Sequence, residues 1–99
     1  MEVIFHSEAR TELVEAAAYY DERAGGLGMD FHDEVLAAIE LTLRHPRMWP
    51  DIGDGIRRCL VRRFPYAVLY ETTPFYFYVY AVMNLRRHPD YWKHRKNHE

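Results

Sequence analysis

Ninety-nine residues, 48% of them hydrophobic and 15% aromatic, are enough for one small core and too few for two, so residues 1–99 are expected to form a single domain. No apolar run nears the roughly 20 residues that cross a bilayer, and MEVIFHSEAR lacks a signal peptide's basic start and cleavage site. The lone Cys59 excludes an internal disulfide, so a cytoplasmic protein with no membrane partner is expected. The net charge of -2 hides a division: residues 1–55 hold four Lys/Arg against twelve Asp/Glu, and residues 56–99 nine against three. Either the basic half meets an anionic partner or the two halves face each other in the fold.

Glu2 to His6 (EVIFH) is a β-branched and aromatic run that predicts a strand, stopped by Ser7, a good helix N-cap. Ala9, Leu13, Ala16, Ala17 and Tyr20 then recur on one helical face, with Glu8, Glu12, Glu15 and Glu22 on the remaining sides, until Gly25-Gly26 ends the helix. After Gly28, Phe31, Val35, Leu36, Ile39 and Leu43 mark a second helix that stops near His45 because Pro46 follows. PRMWPDIGDG, from Pro46 to Gly55, is expected to be loop.

Three strands follow: IRRCLVRRF, YAVLYET after Pro65, and FYFYVYAVM after Thr73-Pro74. Connections this short predict an antiparallel meander. The expected fold is α+β, in the order β-α-α-β-β-β, with an N-terminal helix hairpin packed on an antiparallel sheet, and the terminal KHRKNHE is expected to fray. Strict alternation in the last strand places Phe75, Phe77, Val79, Ala81 and Met83 on one face, toward the helices, and Tyr76, Tyr78 and Tyr80 on the other. The tyrosine face either awaits a partner or stacks on Tyr66 and Tyr70 of the neighbouring strand.

The chemistry-bearing residues narrow the function classes. Ser7, the one serine, belongs to a helix start, and Cys59 sits among apolar strand neighbours, which argues against a nucleophile. The six histidines match no H-E-x-x-H spacing, Glu8, Glu12 and Glu15 have the spacing of a solvated helix face, and GGLG follows a helix where a phosphate loop would follow a strand. No metal and no cofactor are expected. What remains is arginine: Arg57, Arg58, Arg62 and Arg63 around one strand, and Arg86, Arg87 and His88 beyond the last, followed by Tyr91 and Trp92. Guanidinium forks suit phosphate and the rings suit stacking on bases; alternatively the arginines pair with the helices' acids and Trp92 folds back on the core.

With F-P-Y-x-x-x-Y (Phe64, Pro65, Tyr66, Tyr70) followed by R-R-x-P-x-Y-W (Arg86, Arg87, Pro89, Tyr91, Trp92), nearly the whole chain resembles the RelE/ParE superfamily of bacterial type II toxins, especially its ParE-like, plasmid-stabilisation members. The resemblance implies a toxin neutralised by a cognate antitoxin, the complex reaching operator DNA through the antitoxin alone. ParE-like members inhibit DNA gyrase without catalysis. RelE-like members are ribosome-dependent messenger-RNA endonucleases, and a non-toxic orphan binding domain of the same fold is a further alternative.

On the ParE-like reading the target-binding residues are Arg86, Arg87, His88, Tyr91 and Trp92, protruding past a finished scaffold, and the antitoxin meets Tyr76, Tyr78, Tyr80 and Arg62. No catalytic residue is then expected. On the nuclease reading the ribosome and messenger RNA are the partners, and Arg58, Arg62, Arg86, His88 and Tyr91 carry the reaction. The chain departs from the nuclease pattern at Ala67, where Y-R-L-V-Y relatives carry arginine, and has no lysine before Lys93. Asn84-Leu85 stand where family members have His-Gly.

Overall fold

The computed structural model describes residues 2–97. β1 (Glu2–Phe5) leads into α1 (Ser7–Arg23) and α2 (Leu27–Arg44); β2 (Asp51–Gly53), β3 (Ile56–Leu60), β4 (Tyr66–Thr72) and β5 (Tyr76–Asn84) follow, then a 3-10 turn, Lys93–Asn97. The α+β class and the helix hairpin are those expected. One strand is additional: β2 arises within the stretch read as loop, where Asp54, Gly53 and Gly55 at positive φ turn the chain back onto β3.

The sheet order is β1-β5-β4-β3-β2, antiparallel throughout except that β1 runs parallel to β5, with Phe5 opposite Val79. The sheet is therefore mixed rather than antiparallel. Two helices and three strands separate β1 from β5, far more chain than a parallel neighbour's crossover needs.

Helix boundaries follow local hydrogen bonding. His6, not Ser7, caps α1: its Nδ1 accepts from the Glu8 N–H at 3.0 Å. Gly26 turns the chain at φ 88°, and the Asp21 carboxylate accepts from the N–H groups of Gly26 and Gly28, closing the start of α2 from outside. Gly28 lies within α2 and not before it; a Cβ there would collide with the Ala17 carbonyl oxygen, so its bare backbone sets the approach of the two helices. Phe31, Val35 and Ile39 are buried as their spacing predicts, but Ala38 and Thr42 complete the stripe, and Leu36 and Leu43 face outward. Small side chains fit the close contact, and Thr42 loses its polarity to a 2.7 Å bond donated to the Ile39 carbonyl.

The last strand departs from strict alternation. Leu69 pairs with Ala81 and Tyr70 with Val79, so β5 carries one extra residue at Tyr80. Such a bulge reverses the facing of everything beyond it. Phe77, Val79 and Val82 pack toward the helices with Tyr66, Val68 and Tyr70, whereas Ala81 and Met83 join Tyr78 and Tyr80 on the opposite face. Phe75 precedes the strand and is 81% exposed, so it is not a core residue. Tyr70 stacks on Phe77 at 4.8 Å, and the tyrosines of the other face meet at an angle, Tyr78 tilted against Tyr80 at 4.6 Å.

The tyrosine face is covered by its own chain. Trp92 lies over it, 4% exposed, in a cluster with Ile56, Ala67, Leu69, Tyr78, Tyr80 and Met83. The segment expected to fray is ordered as a 3-10 turn through Asn97; His98 and Glu99 lie outside the described residues. No helix among the described residues is long and apolar enough to cross a membrane.

Candidate functional site

β5 ends in a turn built by Asn84. Its Oδ1 accepts from Arg86 N–H at 2.9 Å, its carbonyl accepts from Arg87 N–H at 3.0 Å, and its amide donates to the Tyr66 hydroxyl at 3.4 Å. Leu85 N–H donates to Pro65 carbonyl at 2.9 Å, which ties this turn to the Arg62–Pro65 bend after β3. Backbone groups saturate one another there, so the side chains of Arg86, Arg87 and His88 are left exposed. Arg86 and Arg62 make no ion pair or side-chain hydrogen bond among the described residues, and Arg87 lies over the Tyr91 ring at 4.0 Å.

Beyond His88 the chain folds back. Trp92 Nε1 donates to the Pro89 carbonyl at 2.7 Å as its ring enters the core. Arg95, 4% exposed, donates to both Glu12 oxygens at 2.9 and 3.0 Å and to the Tyr80 carbonyl at 2.9 Å, while its Nε stands 3.3 Å from Glu8. The Tyr91 hydroxyl donates to Glu12, which also accepts from the Val82 N–H at 3.0 Å. β1 pairs only as far as Val79, so Arg95 and Glu12 satisfy the backbone of β5 along the edge that β1 no longer covers. Lys96 bonds Glu71 at 3.0 Å, and Glu71 accepts from the Tyr80 hydroxyl at 2.9 Å.

These contacts shift proton equilibria. Burial, then the hydrogen bond to Glu12, pushes the Tyr91 phenol well above its usual value, and burial with the Glu71 bond does the same to Tyr80. The hydrogen bond from His94 lowers the Glu8 carboxyl. Burial raises the Cys59 thiol to about 11, which leaves it without nucleophilic thiolate at neutral pH. No group of three or more His, Cys, Asp or Glu among the described residues is arranged to hold a metal ion.

The structure thus divides the sequence-predicted residues. Arg86, Arg87 and His88 are presented together on one turn, whereas Trp92 is a core side chain and Tyr91 is held by α1. A tryptophan indole and tyrosine ring at this point find more apolar surface on the uncovered sheet than in water, so they do not protrude. Tyr78 and Tyr80 are buried beneath the tail, and Tyr76 at the strand's start is partly open. Arg58 is exposed on β3 and Arg62 in the bend after it, with β4 between β3 and β5.

An open groove of about 590 Å³ runs between α1 and the end of β5, lined by Tyr19, Tyr20, Arg23, Pro65, Tyr66, Asn84, Arg86 and Arg87 among others. Burial raises the Tyr20 phenol, and the charges of Arg23 and Arg86, which line the same groove, pull against that rise. Arg23 also lies over the Tyr19 ring at 3.9 Å. Sequence reasoning missed Arg23, Glu12 and Arg95. The spacing of Tyr91 and Arg95, one helical turn apart beside Trp92, and of Glu8 and Glu12 was the available signal for the last two; nothing local marks Arg23.

No family model matches the chain, and no curated protein matches it by sequence. Among solved structures, a chain from a structure described as the chromosomal ParDE TA system from P. aeruginosa matches with a TM-score of 0.63 at 13% identity, covering 87% of this chain and 97% of that chain. The chain therefore has the ParE-like α+β fold that its sequence motifs imply.

Proposed function

We propose that this chain is the toxin of a type II toxin-antitoxin pair, acting by binding DNA gyrase in the cytoplasm and silenced by a cognate antitoxin. The observation that carries the reading is the Asn84 turn, which presents Arg86, Arg87 and His88 to solvent, while Arg95 and Lys96 of the tail behind it are tied to carboxylates. The fold shared with the chromosomal ParDE chain supports it. Of the four residues assigned to the antitoxin, Tyr76 and Arg62 are reachable as the chain stands; Tyr78 and Tyr80 contribute by holding the tail beneath which they lie. Tyr91 and Trp92 serve the target surface indirectly, by anchoring the turn that carries the arginines.

Two observations weigh against ribonuclease action. The Tyr91 proton is held by Glu12, and its raised pKa keeps the phenol from acting as a base near neutrality. Ala67 is fully buried beside Trp92, at the place where nuclease relatives carry an arginine. The test is a supercoiling assay with purified gyrase and antitoxin-free protein, run beside a transcript-cleavage assay on translating ribosomes. Inhibited supercoiling with intact transcripts is expected. Codon-phased cleavage would overturn the reading, and silence in both assays would favour a non-toxic binding domain.

A further inference from the structure

The groove between α1 and the end of β5 holds more positive charge than its own chain neutralises. Arg23, Arg86 and Arg87 line it, with Glu12 and Glu15 as its acids. Glu12 is already engaged by Arg95, Tyr91 and the Val82 N–H, which leaves Glu15 alone against the guanidiniums. Further donors face the same space: the Tyr20 hydroxyl makes no hydrogen bond among the described residues, and the Tyr66 hydroxyl accepts from Asn84 and so keeps its proton available. These donors come from α1, the start of β4 and the turn after β5, so they approach a common volume from separate directions.

We propose that this groove is a phosphate-binding site, with Arg23, Arg86 and Arg87 as its guanidinium donors and Tyr20 and Tyr66 as its hydroxyl donors. A planar carboxylate offers its lone pairs in one plane and accommodates one or two guanidinium forks. A tetrahedral phosphate offers oxygens in several directions and accepts forks from three sides. The Arg62 bend, tied to the same turn through Pro65 and Leu85, extends the basic surface beyond the groove, as a phosphodiester backbone would require. The site rests on the toxin reading only in that it names the chemistry the exposed arginines meet, and its binding measurement needs no gyrase.

Binding of a short fluorescein-labelled DNA duplex is measured by anisotropy over a range of salt concentrations, for the wild type and for Arg23→Ala, Arg86→Ala and Arg47→Ala. Arg47, in the loop after α2, removes the same charge outside the groove. Loss of either groove arginine is expected to weaken binding roughly tenfold or more and to flatten the salt dependence by about one phosphate's worth, with Arg47→Ala unchanged. Competition by a mononucleotide, phosphate for phosphate, identifies a nucleotide as the ligand; competition by duplex alone identifies the nucleic-acid backbone. Both outcomes support the site. Absence of binding, equal losses in all three variants, or competition by polyglutamate as effective as by duplex overturns it. No duplex binding by a wild type that inhibits gyrase removes the phosphate site and leaves the toxin standing; duplex binding lost in Arg23→Ala and Arg86→Ala, with no gyrase inhibition by the wild type, does the reverse.

Discussion

A single side chain, Glu12 of α1, joins parts of the chain that lie far apart in sequence: the bulged part of β5 and the tail both send it donors. Arg95→Ala leaves that half-buried carboxylate without its main counter-charge, and a loss of about 3 kcal/mol is expected in urea unfolding. A loss below about 0.5 kcal/mol, the range of ordinary surface changes, would show that the pair is peripheral. Protonation tests the interior in another way. Burial raises the Cys59 thiol from 9.0 to about 11 and the Tyr70 phenol from 10.0 to about 12, so each folded value lies above the unfolded one. The stability these protonated groups contribute is complete below about pH 9 and is lost as the pH climbs toward 12. The urea midpoint is therefore expected to be lower at pH 10.5 than at pH 8, and an unchanged midpoint would contradict the burial of both groups.

At the scale of elements, the two helices meet where Gly28 passes the Ala17 carbonyl, and the tail closes the sheet through Trp92. Gly28→Ala forces the hairpin apart and is expected to cost about 1–3 kcal/mol, read as a lowered melting temperature. An unshifted transition would mean that the helices have room to give. Trp92→Ala uncovers Tyr78, Tyr80 and Met83 and is expected to cost about 3–5 kcal/mol. Arg86→Ala, on the exposed turn, is expected to leave stability within about 0.5 kcal/mol while abolishing toxicity. If Arg86→Ala unfolds the protein, or if Trp92→Ala leaves it as stable as before, the division between turn and tail is wrong.

Across the whole molecule the two oppositely charged halves partly cancel by contact and partly do not. Arg95 meets Glu8 and Glu12, Arg63 lies 3.6 Å from Asp30, and Lys96 reaches the Asp54 carbonyl. Arg23, Arg62, Arg86 and Arg87 are outside that pairing, and they gather where the β3–β4 bend and the turn after β5 are tied together. The charge division seen in the sequence therefore answers only in part to contact within the fold. One part of it holds the fold closed, and the other stays exposed, where the partner proposed above would meet it.

The helix hairpin, every strand but β2 and the position of the arginine turn were legible from the chain alone, because each depends on local signals: the three-to-four spacing from Ala9 to Tyr20, Gly25-Gly26, Pro46, and the apolar run ending at Asn84. The sense of β1, the bulge at Tyr80 and the burial of Trp92 were decided by tertiary structure. A strand's neighbour and a one-residue register shift depend on what packs against it from distant parts of the chain, and no local pattern records that choice. The same holds for Arg23 and Arg86: sixty-odd residues apart in sequence, they share a groove because the sheet's twist and the helix hairpin bring the end of α1 over the end of β5.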